Sequence, residues 1–154
     1  MNEKKTTDAL DDILKDCRPE TAGQFLAEQK ARMAESEKPF AAYMRKTLRH
    51  KKIRQQDVFL AANISEGYGY KLISEEKHTV QRDVIIRLCL AAHFTLNEAQ
   101  RALKLYGMSE LYSRVCRDAV LIIAFNSGVY EIDSVDDMLV KNGFARLYSC
   151  AESE

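Results

Sequence analysis

The side chains of this 154-residue chain that are best placed for chemistry lie between Arg49 and Lys77, and their types suit recognition more than bond-making. Arg49, Lys52, Lys71 and Lys77 offer cations to phosphate oxygens. Gln55 stands at the head of an expected helix, where a side-chain amide and free backbone N–H groups can meet a phosphate together. Two short helices must position these groups. In QQDVFLAANISEGYGYKLISEEK, Gln55 to Lys77, the first turns Val58, Phe59 and Ala62 inward. Asn63 tolerates the left-handed conformation of a tight turn, Ile64 plugs the corner, and Ser65 caps a second helix from Glu66 to about Ser74. That second helix spaces Tyr68, Tyr70 and Lys71 around it, with Leu72 and Ile73 as anchors. Helix, tight turn and helix is the layout of a helix-turn-helix, whose second helix can enter a DNA major groove.

Charge is distributed in keeping with this reading. The whole chain balances 23 Lys and Arg against 23 Asp and Glu, so no global field draws it to nucleic acid or to an anionic membrane. Residues 43–87, however, carry 10 basic against 5 acidic side chains, whereas residues 1–42 carry 7 against 9 and residues 88–154 carry 6 against 9. The basic run RKTLRHKKIR, Arg45 to Arg54, taken alone reads equally as the solvated face and end of a helix.

Composition excludes several alternatives. Hydrophobic residues make up 46% of the chain, and six Gly and two Pro are few, so one compact and mostly helical domain, or a small one with extensions, is expected. Cys17, Cys89, Cys116 and Cys150 form no Cys-x-x-Cys pair, and MNEKKTTDAL has no apolar signal region. Free thiols in a reducing cytoplasm follow as the expectation. The longest apolar run, Ala119 to Phe125, falls far short of the roughly 20 residues that span a bilayer. No Gly-rich phosphate loop, His-Glu-x-x-His pair or nucleophile elbow occurs. His50, His78 and His93 are scattered, Cys89 and Cys116 are expected as inert thiols on apolar helix faces, and the acid pairs Asp11-Asp12 and Asp136-Asp137 are expected in helix first turns, serving the dipole. Neither catalytic residues nor a metal or cofactor site is expected.

Elsewhere the chain reads as further helices. Leu10, Ile13 and Leu14 line a helix over 7–16 behind a threonine cap. Pro19-Glu20 opens a second over about 20–34 with Phe25, Leu26 and Met33 as apolar positions, and Ser36 to Pro39 breaks it. A helix over 39–51 presents Phe40, Tyr43, Met44, Thr47 and Leu48 on one face. Thr95-Leu96-Asn97-Glu98 is a capping box for a helix running to about Leu105 before Gly107. Ser113 to Phe125 is apolar nearly all round and must be buried or find a partner, with Asn126 to Gly128 as its stop. Ser134 caps a last helix carrying Val135, Met138 and Leu139, ended by Asn142-Gly143.

The stretch from Gln55 resembles the lambda-repressor-like, XRE-type helix-turn-helix regulators. Their pattern is Gln, four residues on a small Ala, four on a Gly, a hydrophobe and a Ser. Aligning Gln55 puts Phe59 on the Ala, Asn63 on the Gly, Ile64 on the hydrophobe and Ser65 on the Ser. Arg82 to Gln100 resembles the family's next two helices, so the likeness covers roughly residues 40–106. Phe59 is large where the family is small, and Gly69 is small where the family has the Val or Ile that faces it, which conserves the volume of one contact. Asn63 and His93 replace glycines at two helix ends. Glu75 replaces a third, at a cost on the order of 1 kcal/mol if it is left-handed, and adds an acidic charge beside the DNA face.

The resemblance implies base reading by Glu66, Gly67, Tyr68, Tyr70 and Lys71. Glu66 suits a cytosine amino group, Tyr70 a thymine methyl or a phosphate, and Lys71 a phosphate or guanine. Against this, Glu66 also suits a helix N-terminus, and both tyrosines read first as core or partner-facing aromatics. The later segments, QRALKLYG and LYSRVCRDAV, resemble bacterial helix-turn-helix proteins without a settled role.

The expectation is therefore an all-α, lambda-repressor-like helix-turn-helix bundle: an N-terminal helical extension at 1–37, the helix-turn-helix domain at 38–107, and a C-terminal helical hairpin at 108–154 that packs on it or serves dimerisation. The resemblance implies a bacterial transcriptional regulator that binds double-stranded DNA in the major groove, with a homodimer on two half-sites as one arrangement; the cysteines and the polar N-terminus point to the cytoplasm, and no motif calls for a cofactor. The alternative is an adaptor that keeps the fold for a protein partner without reading DNA. A small-molecule sensor using the C-terminal helices is a third reading.

Overall fold

Six helix ends share one device. Each closes on a residue in the left-handed region, and the next residue is apolar and turns its N–H back onto a carbonyl of the last turn. The N–H of Ile53 reaches the Leu48 carbonyl at 3.0 Å, Ile64 reaches Phe59 at 3.0 Å, Phe94 reaches Cys89 at 3.1 Å, and Met108, Val129 and Phe144 reach Leu103, Ala124 and Leu139 at 2.9 Å. The left-handed residues are Lys52, Asn63, His93, Gly107, Gly128 and Gly143. Ile64 and Phe94 are buried, and the other four returning residues pack against the core from its edge. Capping and burial thus act at the same residue.

The computed structural model describes residues 7–34 and 38–148, and among these there are nine α-helices and no strand, an all-α chain. They are α1 (Thr7–Asp16), α2 (Ala22–Ala34), α3 (Pro39–Lys51), α4 (Gln55–Ala61), α5 (Glu66–Ile73), α6 (Arg82–Ala91), α7 (Leu96–Tyr106), α8 (Cys116–Ser127) and α9 (Ile132–Lys141), with a 3-10 turn at Pro19–Thr21 before α2. None of the described helices is long and apolar enough to cross a membrane.

The chain divides into two units, Met1–Glu37 and Lys38–Glu154. In the first, Leu10, Ile13 and Phe25 are half-buried, while Leu14 and Leu26 remain exposed. Asp8, not Asp11 or Asp12, is the first-turn acid of α1, and Asp12 instead pairs with Lys15 at 3.0 Å. The Thr7 and Met33 side chains, the break at Ser36 and Cys150 lie outside the described residues.

The second unit is built on α6. Its eight residues from Val84 to Ala91 are all buried, and it packs against α4, α7 and α9. Around it lie Phe40, Met44 and Leu48 of α3, Val58 and Phe59 of α4, Leu72 and Ile73 of α5, Leu103 of α7, Leu121 and Phe125 of α8, and Leu139 of α9. Full burial of each such side chain stabilises by roughly 1.5–3 kcal/mol. Cys89 sits in this core, and burial, with Glu98 adding to it, pushes its thiol far above the ordinary range. It is inert as a nucleophile.

Charged pairs lock α6 to α8. Arg82 and Asp83 open α6, and Arg117 and Asp118 stand in the first turn of α8; each arginine grips the other helix's aspartate. Arg82 binds both oxygens of Asp118, at 3.1 Å through Nη1. Arg117 binds both oxygens of Asp83, at 2.9 Å each. Asp118, only 2% exposed, also accepts the Tyr112 N–H at 3.0 Å.

These contacts move two expected helix starts. The chain before α8 is pinned, because the Gln100 amide donates to the Leu111 carbonyl at 2.8 Å and accepts the Leu111 N–H at 2.7 Å. With Tyr112 held by Asp118, the helix begins at Cys116 and not at Ser113. Burial of Ile132 draws the start of α9 back to that residue, so Ser134 is its third residue and not its cap. Asp136 accordingly lies beyond the first turn, 2% exposed, and accepts the Leu147 N–H at 2.6 Å in place of serving the helix dipole. Cys116 is exposed at the head of α8 and does not lie on a buried apolar face.

Candidate functional site

Two short helices, α4 and α5, are joined by the residues numbered 62 to 65, and the join follows from local chemistry. Asn63 adopts φ 56, a left-handed value. Ile64, 8% exposed, enters the core and closes the corner. Ser65 takes the extended N-cap conformation at φ −61 and ψ 144, yet its hydroxyl makes no capping bond; its carbonyl alone accepts the Gly69 N–H at 2.8 Å.

The inner face of α5 is formed by Gly69, Leu72 and Ile73, all buried. Gly69 lies flat against the Phe59 ring, so close that a Cβ there would stand 2.6 Å from the ring's Cε1. Large Phe59 and small Gly69 therefore share one contact across α4 and α5. The outer edge carries Glu66, Gly67, Tyr70 and Lys71, all exposed. Tyr70 is 41% exposed, and its ring meets the edge of Phe59 with centroids 5.0 Å apart at 80°. That contact holds its ring at the surface.

The other expected site residues flank α5 along the chain. At the head of α5, Gln56 donates through Nε2 to Glu66 at 2.9 Å, which brings the start of α4 beside the start of α5. Gln55 is half-buried as the first residue of α4, and Lys52 is exposed at the end of α3, three residues before it. Arg49 is exposed one turn earlier in α3 and lines a groove with Tyr43 and His50. Beyond the foot of α5, the Lys77 N–H donates to the Lys71 carbonyl at 3.1 Å, keeping those two lysines adjacent in the chain's path. Lys77 Nζ stands 6.0 Å above the ring of Tyr68, which is half-buried against the core. Glu66 and Lys71 lie roughly 7.5 Å apart along the helix axis.

Glu75 departs from its expected role. It adopts φ 59, as a residue standing in for glycine must, but its Oε2 is buried, without a hydrogen-bond partner among the described residues. Burial pushes the Tyr106 hydroxyl above its ordinary value, against the Thr79 N–H it accepts at 2.8 Å, and Tyr68 and Glu75 add to the rise. One carboxylate oxygen therefore faces the interior instead of adding fully to the outer surface. Lys38 Nζ donates to the Glu75 carbonyl at 3.1 Å and steadies the turn.

The histidines are separate. His78 stacks on Tyr106 at 4.3 Å and His93 on Tyr130 at 4.6 Å. Among the described residues no three His, Cys, Asp or Glu side chains converge in a group that could hold a metal ion. Sequence reasoning missed the Gln56–Glu66 link; its signal was a second glutamine beside Gln55, next to the helix head. No family model, curated protein or solved structure matches this chain.

Proposed function

We propose that the chain is a DNA-binding transcriptional regulator of the XRE helix-turn-helix type, with α5 lying in the major groove. One observation carries the reading: the outer edge of α5, Glu66, Gly67, Tyr70 and Lys71, stands in solvent while its inner face is fully buried. A helix held from behind with a polar edge free is what groove reading requires. This reading assigns phosphate contacts to Arg49 on the exposed face of α3, to Lys52 at its end, and to Lys77 after the foot of α5. Two copies on two half-sites would raise the affinity of a reader this short.

A second reading, an adaptor that binds a protein partner through the same edge, is favoured by the engagement of Glu66 with Gln56 and by the exposed ring of Tyr70. Fluorescence anisotropy with mixed-sequence duplex DNA separates the two. Under the first reading, Arg49→Ala and Lys71→Ala each weaken binding, and each lowers the slope of log K against log salt by about 0.9. Binding that ignores both substitutions and salt, together with a co-purifying protein that shields Tyr70, favours the adaptor.

A further inference from the structure

A surface that shares Arg49 with the reading above carries charge that no described residue compensates. Along α3, opposite the head of α7, runs a groove of ≈ 530 Å³ lined by Tyr43, Lys46, Thr47, Arg49, His50 and Glu98. Its volume falls within the roughly 300–1,000 Å³ of ligand pockets. Lys46, Arg49 and His50 stand at i, i+3 and i+4 on one exposed face of α3, and no described residue hydrogen-bonds or ion-pairs with their side chains. The one carboxylate on the groove does not neutralise them. Glu98 is held by Lys51 at 2.8 Å and by the Thr95 N–H at 2.9 Å, within the capping box of α7. The Tyr43 hydroxyl reaches the Glu98 carbonyl only at 3.5 Å, a length at which the hydrogen bond is weak. The same hydroxyl meets the Thr47 side chain one turn on in α3.

Two cations and a histidine at helical spacing without partners among the described residues, a compensated carboxylate and a tyrosine hydroxyl converge on a concave surface. We propose that this groove binds a phosphate group, with Arg49 gripping two of its oxygens, Lys46 and His50 donating to the rest, and Tyr43 adding a neutral hydrogen bond. Arg pairs with phosphate in a bidentate manner that suits this arrangement. The phosphate can be that of a free ester or that of a nucleic-acid backbone. Arg49 is common to both readings, but Lys46, His50 and Tyr43 belong to the groove alone, so the site does not require that α5 reads DNA.

The test uses the full isotope-labelled chain, titrated with inorganic phosphate against sodium chloride of equal ionic strength, and separately with duplex DNA. Lys46→Ala and the double variant Lys46→Glu/His50→Glu are compared with the wild type. Both positions are exposed, and an unchanged melting curve confirms folding. Phosphate is expected to shift the amides from Tyr43 to His50 saturably, with the dissociation constant raised at least about fivefold by Lys46→Ala. If the backbone is the source, Lys46→Ala also lowers the salt slope of duplex binding by about 0.9; if a free ester is the source, duplex binding stays at the wild-type level. The site is refuted if phosphate moves these amides no more than chloride and duplex binding survives the double glutamate substitution. Phosphate saturation in a chain that binds no duplex overturns the α5 reading alone.

Discussion

The contact between Phe59 and Gly69 makes a sharp prediction, because it should reverse the sign of one substitution. In the wild type, an alanine Cβ at position 69 would stand 2.6 Å from Phe59 Cε1, and the ring is only 1% exposed. Ordinary carbon contacts lie near 3.5–4.0 Å, so the ring must retreat by roughly 1 Å. It has little room, since its edge packs on Tyr70 at 5.0 Å. Overpacking of this kind costs about 1–3 kcal/mol. Replacing a helical glycine by alanine returns about 1 kcal/mol. Gly69→Ala should therefore destabilise by about 1 kcal/mol net. Phe59→Ala alone should cost about 3–5 kcal/mol through the cavity it leaves. With the ring gone the clash vanishes and only the helix gain remains, so Gly69→Ala should stabilise the Phe59→Ala protein by about 1 kcal/mol. Urea denaturation of the four proteins measures the cycle, with a coupling of about 2 kcal/mol expected. Additive effects, or a Gly69→Ala cost that persists without the ring, would refute the packing.

Other predictions concern charge. Asp118→Asn breaks a buried pair and leaves Arg82 uncompensated, so thermal denaturation should report a loss of about 3 kcal/mol. Glu75→Gly relieves a left-handed residue and removes a buried carboxylate oxygen, and should stabilise by about 1–2 kcal/mol in urea; a destabilised variant would show that this carboxylate is useful to the fold. Burial alone would raise the Glu98 carboxyl, but Lys51 and the Thr95 cap hold it below its ordinary value of 4.5. Its contribution is therefore present above that value and lost as pH falls through the lower folded value. Glu98→Gln keeps the capping-box geometry without the charge, so its stability should fall less steeply than the wild type's below about pH 4.5 in acid denaturation curves.

What could be read from the sequence was chiefly what neighbouring residues settle among themselves. Thr95 and Glu98 announce the start of α7 because both capping bonds form within one turn. Asn63, Gly107, Gly128 and Gly143 announce helix ends because a left-handed residue has few occupants. The contact between Phe59 and Gly69 was legible as an exchange of volumes. Contacts between distant residues stayed hidden. The starts of α8 and α9 depend on Gln100 clasping Leu111 and on burial of Ile132, which no local pattern encodes. The crossed arginine–aspartate pairs had a faint signal, an Arg-Asp dipeptide at the head of each helix, but nothing local says that the two dipeptides meet. Glu75 carried its charge in the sequence without its direction.

The central claim is that the outer edge of α5 touches duplex DNA, and photo-crosslinking tests it most directly. A photoreactive residue is placed in turn at Tyr70, at Lys71 and at Ile123, which is exposed on α8. Crosslinks to duplex DNA are expected from positions 70 and 71, suppressed by unlabelled duplex, and none from 123. Crosslinks from position 123 alone, or none from α5 at low salt, would contradict that claim.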